Sequence, residues 1–178
     1  MSIEEVTLEH VLKRLKIDGE GRLLFGSTPM ILTPRFLFKH IQETLEELGG
    51  EGMTSAVMTR AGFKAGYGFA EAQAKLFGLR GAPVFKKYVR IASFRGWGKF
   101  EILEFDPEVP RARVRIYASY GEEQKGRGRA ACYIWRGAIA GILQYIADSE
   151  GREVRVAGRE EMCVAKGDPY CEIVAEPY

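Results

Sequence analysis

Three cysteines in the last third of the chain constrain its fold more than any other feature of the sequence. Cys163 and Cys171 flank residues 167–169, where a glycine, an aspartate and a proline favour a tight turn. The residues on both sides of this turn are β-prone, so we predict a β-hairpin with its tip near Gly167. In a simple register the two cysteines face each other, with Cβ atoms about 4.5–5.5 Å apart. That geometry suits a shared metal ion or, with some adjustment, a disulfide.

The third cysteine, Cys132, lies at the start of a segment over residues 131–147 that is apolar almost all round. This pattern predicts a largely buried helix. A thiolate at a helix N-terminus gains from the local positive field, which favours metal ligation. Three thiols are one ligand short of a tetrahedral site, and a His, Asp, Glu or water would have to complete it. The alternatives are three thiols that only pack in the core, or a disulfide between Cys163 and Cys171.

The rest of the chain predicts helices and short strands in alternation. We expect helices over residues 7–16, 33–50, 53–77 and 83–94, and strands over residues 22–25, 30–32, 100–105 and 112–117. Residues 119–129 are polar and rich in glycine, which indicates a loop. Together these elements predict an α+β fold, with an antiparallel sheet packed against several helices and a C-terminal β-hairpin tied to a buried helix.

Two pairs of glycines repeat the same spacing on two predicted helices. Gly62 and Gly66 lie in the helix over residues 53–77, and Gly137 and Gly141 lie in the cysteine helix. Each glycine costs about 1 kcal/mol of helix propensity relative to alanine, so a packing role is expected. The two stripes could meet within one chain or across a dimer, and small residues could also leave room for a ligand.

Composition sets further bounds on the protein. The chain has 178 residues, 46% hydrophobic and 28% charged, with a net charge of +2, which fits one globular domain over residues 1–178. The small net charge predicts no direct binding to nucleic acid. The apolar run over residues 131–147 is too short for a comfortable membrane span. Three cysteines without a signal peptide favour a reducing compartment, so we expect a cytoplasmic protein.

Several of these motifs together resemble the 4-vinyl reductase domain family. The resemblance is most specific at Cys132, which is followed by an aromatic residue and by Gly137 and Gly141, and at the later hairpin from Cys163 to Cys171. Weaker similarity at residues 45–52, 62–66 and 96–100 extends the match over nearly the whole chain, with a cysteine-containing core over about residues 99–176. The resemblance implies an antiparallel sheet with helices, related to trafficking (TRAPP) subunits and to haem-based nitric oxide sensors.

The resemblance also implies a metal. In sensor members of the family, a glutamate upstream of the first cysteine completes a zinc site with the three cysteines. The matching segment here, residues 119–122, indicates Glu122 as the fourth ligand, with Glu123 or water as alternatives. We therefore expect a structural zinc ion held by Cys132, Cys163, Cys171 and Glu122.

The function implied by the resemblance is the sensing of small molecules. In bacterial regulators of aromatic degradation, this domain binds phenols or other hydrocarbons and controls an attached ATPase and a DNA-binding module. This chain has no room for those modules, so we expect a stand-alone, dimeric domain that binds an apolar or aromatic molecule and signals to a separate regulatory protein. Candidate pocket walls are aromatic residues that core packing explains equally well. They are Phe63, Tyr67, Trp97, Tyr133 and Trp135.

Two other functions remain open at this stage. One is reduction of a vinyl group in tetrapyrrole-type metabolism, which would need a nicotinamide or flavin site, and the sequence has no dinucleotide-binding fingerprint. The other is a structural module whose dimer surface is its function. A co-purifying apolar molecule would favour the ligand-binding domain, turnover of a vinyl substrate with NADPH would favour the reductase, and a solid core without cavities would favour the assembly module.

Overall fold

The structure is a computed structural model that describes residues 7–178. Its helices are α1 (Leu8–Leu12), α2 (Phe36–Phe77), α3 (Ala82–Phe94) and α4 (Tyr133–Ser149), with a 3₁₀-helix at Tyr120–Gln124. Its strands are β1 (Leu15–Ile17), β2 (Leu23–Phe25), β3 (Thr28–Met30), β4 (Lys99–Asp106), β5 (Arg111–Tyr117), β6 (Val156–Met162) and β7 (Cys171–Pro177). The α+β fold class predicted from the sequence is confirmed.

The larger sheet has four antiparallel strands in the order β4-β5-β7-β6. The predicted C-terminal hairpin is therefore present, and its second strand lies in the interior of the sheet. Met162 pairs with Glu172, and this register brings Cys163, the next residue, beside Cys171. Alternate residues of β5 are fully buried, and most of β7 is buried as well, because α4 packs against one face of this sheet.

Helix α4 lies between the sheet and α2, which explains why it is apolar almost all round. A Cβ atom built on Gly137 would lie 1.9 Å from the carbonyl oxygen of Thr59, and one on Gly62 would lie 2.1 Å from that of Ile134. Real Cβ contacts are never this short, so only glycine allows these two helices to approach so closely. The glycine stripes thus meet within one chain, as one of our two interpretations predicted.

The N-terminal part forms a second layer of short elements. Strands β1, β2 and β3 make a three-stranded antiparallel sheet. The predicted helix over residues 7–16 is wrong in its second half, because the chain turns after Leu12 and Leu15 pairs with Phe25. The break predicted between residues 50 and 53 is found as a kink inside α2 at Gly50, whose φ of 74° favours glycine.

No helix in the described part of the chain is both long enough and apolar enough to cross a membrane.

Candidate functional site

The three cysteines converge where the hairpin meets the start of α4. Cys132 is the N-cap residue of α4, Cys163 follows β6, and Cys171 begins β7. The Sγ atoms lie 3.0 Å apart for Cys132 and Cys171, 3.8 Å for Cys163 and Cys171, and 4.0 Å for Cys132 and Cys163. All three side chains are buried, and none forms a disulfide.

These separations fit a shared tetrahedral metal ion. With metal–sulfur bonds of about 2.3 Å, two sulfurs of a tetrahedron lie roughly 3.8 Å apart. Two of the three observed Sγ distances are within a few tenths of an ångström of that value. The sulfurs of Cys132 and Cys171, which are 3.0 Å apart, would have to move apart to bind the same ion. Three thiols that merely packed would gain little from this arrangement, because neighbouring buried sulfurs make weak hydrogen bonds.

A carboxylate completes the group. The potential ligand atoms of Glu160 and the three cysteines all lie within 4.8 Å of one another. Glu160 Oε1 accepts a hydrogen bond from the backbone N–H of Cys132 at 3.0 Å, whereas Oε2 is buried and has no hydrogen-bond partner within residues 7–178. Burial, followed by the neighbouring Cys163, raises the pKa of Glu160 to about 8. An unpartnered carboxylate oxygen beside three sulfurs is the arrangement that a bound cation would satisfy.

Neither glutamate named from the sequence lies in this cluster. Glu122 pairs with Lys125 at 3.3 Å, and Glu123 pairs with Arg35 at 3.4 Å. Both lie in the 3₁₀-helix next to the site, whose N-cap residue, Ser119, lies 3.0 Å from Cys171 Sγ. Glu160 has a signal in the sequence that we missed. It lies four residues after Val156 along β6, so the two side chains share the inward face of the strand.

Hydrogen bonds determine which thiol gives up its proton most readily. Bonds from Cys132, Cys163 and Ser119 lower the pKa of Cys171 to about 4, and a backbone N–H bond from Val164 adds to this effect. The pKa of Cys132 is raised well above its ordinary value by hydrogen bonds with the other two thiols and by burial. A metal ion would allow all three sulfurs to ionise, since its charge replaces the missing counter-charge.

One cavity lies between α4 and the N-terminal layer, and a second is lined by the N-terminal layer itself together with the ends of α2 and α3. One has a volume of about 370 Å³ and is lined by side chains that include Phe69, Trp97 and Trp135. The other has a volume of about 440 Å³ and is lined mainly by aliphatic residues of α1, β2, β3 and the start of α2. Both volumes lie within the range of about 300–1,000 Å³ typical of ligand pockets. Met30, Arg95 and Trp97 line both cavities, which are therefore adjacent.

The structure brings together two of the five aromatic residues that we named as pocket walls. The rings of Trp97 and Trp135 meet edge to face, with centroids 5.4 Å apart. Phe63 lines a different surface depression, beside Arg136. Within residues 7–178, Tyr67 and Tyr133 line neither cavity. Tyr67 packs against Tyr145, and the hydroxyl of Tyr133 donates to Glu51.

One buried tyrosine connects the cysteine cluster with the aromatic cavity. The ring of Tyr120 lies 6.1 Å from that of Trp97 and 6.2 Å from that of Phe38. Its hydroxyl donates to the carbonyl of Ala131 and accepts from the N–H of Ile134, on either side of Cys132. The position of the α4 N-terminus, where Cys132 lies, thus bears directly on the walls of the cavity.

Several known structures share this fold. The chain is similar to the phenol-responsive sensory domain of the transcription activator PoxR, solved with phenol, with a TM-score of 0.80 and 18% identity over 96% of this chain and 88% of that one. It is also similar to a vinyl-4-reductase family protein from Methanocaldococcus jannaschii, with a TM-score of 0.55 and 14% identity over 84% of each chain.

A trafficking protein particle complex subunit 3 from Naegleria fowleri, covalently bound to palmitic acid, is similar at a TM-score of 0.54 and 11% identity, over 81% of this chain and 92% of that one. At these identities the likeness shows a shared fold, which is the fold that the 4-vinyl reductase resemblance implied. The chain belongs to the family described as a domain of unknown function (DUF5943), whose model matches residues 14–103. A comparison with curated proteins found no matching sequence.

Proposed function

We propose that this chain is a sensory domain that binds an apolar or aromatic small molecule and holds a structural zinc ion. The observation that carries the proposal is the aromatic cavity, whose wall includes Trp135, a residue with a buried indole N–H that has no acceptor within residues 7–178. A buried donor without a partner is costly, and a ligand oxygen would satisfy it. The likeness to the phenol-responsive domain of PoxR supports a sensory role.

The presence of cavities favours ligand binding over the assembly module, for which we expected a solid core. Oligomerisation still has support, because the outer side of α2 exposes several large apolar residues. These are Phe36, Leu37, Ile41, Leu48, Met53 and Val57. We propose that this face forms a homodimer, as in members of the 4-vinyl reductase family, and that the ligand signal passes to a regulatory partner. Native mass spectrometry of the purified protein reports subunit number, metal and retained ligand together.

Zinc is the metal that best suits the candidate site. Three sulfurs and one carboxylate form a tetrahedral set without an open position, which is typical of structural rather than catalytic zinc. We propose Glu160 as the fourth ligand in place of Glu122, because Glu160 already lies within ligand distance of the sulfurs. The ion would join the C-terminal hairpin to the N-terminus of α4 and so hold Trp135 at the cavity.

Glu160→Gln is expected to weaken zinc binding at least about tenfold, since even residues that only support a metal ligand change affinity by that factor. Glu122→Gln is the matched control and is expected to leave zinc affinity unchanged, because Glu122 pairs with Lys125 at the surface. Competition against a chromophoric chelator measures both affinities. If Glu122→Gln loses zinc while Glu160→Gln binds it normally, the fourth ligand is Glu122 and not Glu160.

Trp135→Phe tests the ligand proposal, because it keeps an aromatic ring and removes the N–H. We expect the variant to bind 4-ethylphenol about fivefold more weakly, the effect of one neutral hydrogen bond. Its affinity for ethylbenzene, which has no oxygen, should not change. Trp97, the other of the two tryptophans in the chain, supplies the fluorescence signal in the variant. Equal loss of both affinities would mean that Trp135 contributes shape alone, and absence of any binding to the wild type would refute the cavity as a ligand site.

A further inference from the structure

A partly buried guanidinium with no counter-ion among residues 7–178 lines both of these cavities. Arg95 caps the C-terminus of α3, and its side chain lines both cavities. Its Nη1 atom is buried and donates to no atom within residues 7–178, and no carboxylate in that part of the chain pairs with it. A buried N–H donor without an acceptor carries the full cost of losing its contact with water. A partner for this donor is therefore expected from outside residues 7–178.

Packing holds this guanidinium in place. Its central carbon lies 4.2 Å from the centre of the Phe69 ring, and that ring in turn meets Tyr88 edge to face at 5.6 Å. Burial lowers the pKa of Arg95, but a guanidinium stays charged in proteins. An arginine stacked on an aromatic face is preorganised, so it loses little side-chain entropy when a ligand arrives.

The charged residues around the cavities are all basic. Lys64 is the second charged residue of the aromatic cavity, and Arg35 is the second charged residue of the aliphatic one, while neither lining contains an aspartate or glutamate. Arg35 is already engaged by Glu123 at 3.4 Å and by the carbonyl of Ser119. Lys64 is exposed to solvent. Arg95 is thus the cation in these walls that has both a buried donor and no partner.

We infer that the ligand is an apolar monocarboxylate, whose carboxylate pairs with Arg95 while its hydrocarbon body fills the aromatic cavity beside Trp97. This inference rests on the proposed function and adds the charge of the ligand to it. The planar fork of arginine matches a carboxylate with two parallel hydrogen bonds, which are shorter and stronger than neutral ones. A neutral ligand of the same shape would fill the cavity and still leave the guanidinium without its counter-charge.

The test compares two probes of matched shape, 4-ethylbenzoate and the uncharged 4-ethylbenzamide, at neutral pH. Tryptophan fluorescence reports binding, since Trp97 lines both cavities and Trp135 lines the aromatic one. We expect the wild type to bind the benzoate at least about tenfold more tightly than the amide. Arg95→Gln should abolish this preference, because the benzoate loses its counter-ion. Lys86→Gln, on the exposed side of α3, removes the same charge and should keep the preference.

The possible failures are distinct. If the wild type binds amide and benzoate equally, the carboxylate inference falls while the proposed function stands. If Arg95→Gln keeps the preference for benzoate, another cation selects the anion and the inference also falls. If the wild type binds none of 4-ethylbenzoate, 4-ethylbenzamide and 4-ethylphenol, the inference and the proposed cavity are refuted together. The comparison of benzoate with amide in the wild type needs no variant, so the inference can still be refuted if Arg95→Gln does not fold.

Discussion

Cys163→Ser is expected to release zinc and to lower the melting temperature by roughly 10 °C or more, given about 4 kcal/mol of lost stability and a chain of this length. Cys163 lies 3.8 Å from Cys171 and 4.0 Å from Cys132, so its sulfur is one corner of the proposed tetrahedron. Serine is similar in size but a much poorer zinc ligand, so the loss reflects metal rather than volume. Differential scanning fluorimetry and metal analysis of untagged protein give the two readouts.

A chelator separates the metal from the packing in this experiment. Removing zinc from the wild type should lower its melting temperature to nearly that of Cys163→Ser, whereas the variant should not respond further. If the variant melts early and still responds to the chelator, the thiol stabilises the core by packing and another residue holds the ion. Zinc well below one ion per chain in the wild type would contradict the metal proposal itself.

The approach of Cys163 to Cys171 could be predicted from the sequence because it depends on local geometry. Cys163 and Cys171 lie at equal distances from a turn whose residues leave few alternatives, and Asp168 secures that turn by accepting a 2.7 Å hydrogen bond from the N–H of Cys163. The burial of α4 could also be predicted from the sequence, since apolar residues occur on all sides of this helix. The matching glycine spacings on α2 and α4 pointed to the contact between these helices.

The cavity and the proposed fourth ligand depend on tertiary placement, which the sequence alone does not give. Arg95 reaches the cavity because α3 ends beside α2, and nothing in its local sequence distinguishes it from a surface arginine. Glu160 was overlooked because the family resemblance directed attention to residues before Cys132. The short strand at Leu15 was misread as helix because its pairing with Phe25 overrides local propensity.

Gly137→Ala is expected to destabilise the domain by about 3 kcal/mol, near the upper end of overpacking costs, which corresponds to roughly 6–12 °C in melting temperature. The added Cβ would lie 1.9 Å from the carbonyl oxygen of Thr59 and 2.7 Å from the backbone nitrogen of Phe63. These are backbone atoms inside α2, so no rotamer change can relieve the clash and the two helices must separate. Because α4 also packs on the sheet, it has no free side towards which it can move.

Gly68→Ala is the matched control for this prediction. It makes the same chemical change in the middle of α2, but its Cβ would meet nothing within 4 Å. Alanine at an exposed helical position stabilises by about 1 kcal/mol relative to glycine, so this variant should melt a few degrees higher than the wild type. Opposite shifts in the two variants would assign the cost to the contact between α2 and α4. A Gly137→Ala variant as stable as the wild type would show that α2 and α4 do not approach so closely. The positions of the α4 residues that line the cavity would then also be wrong.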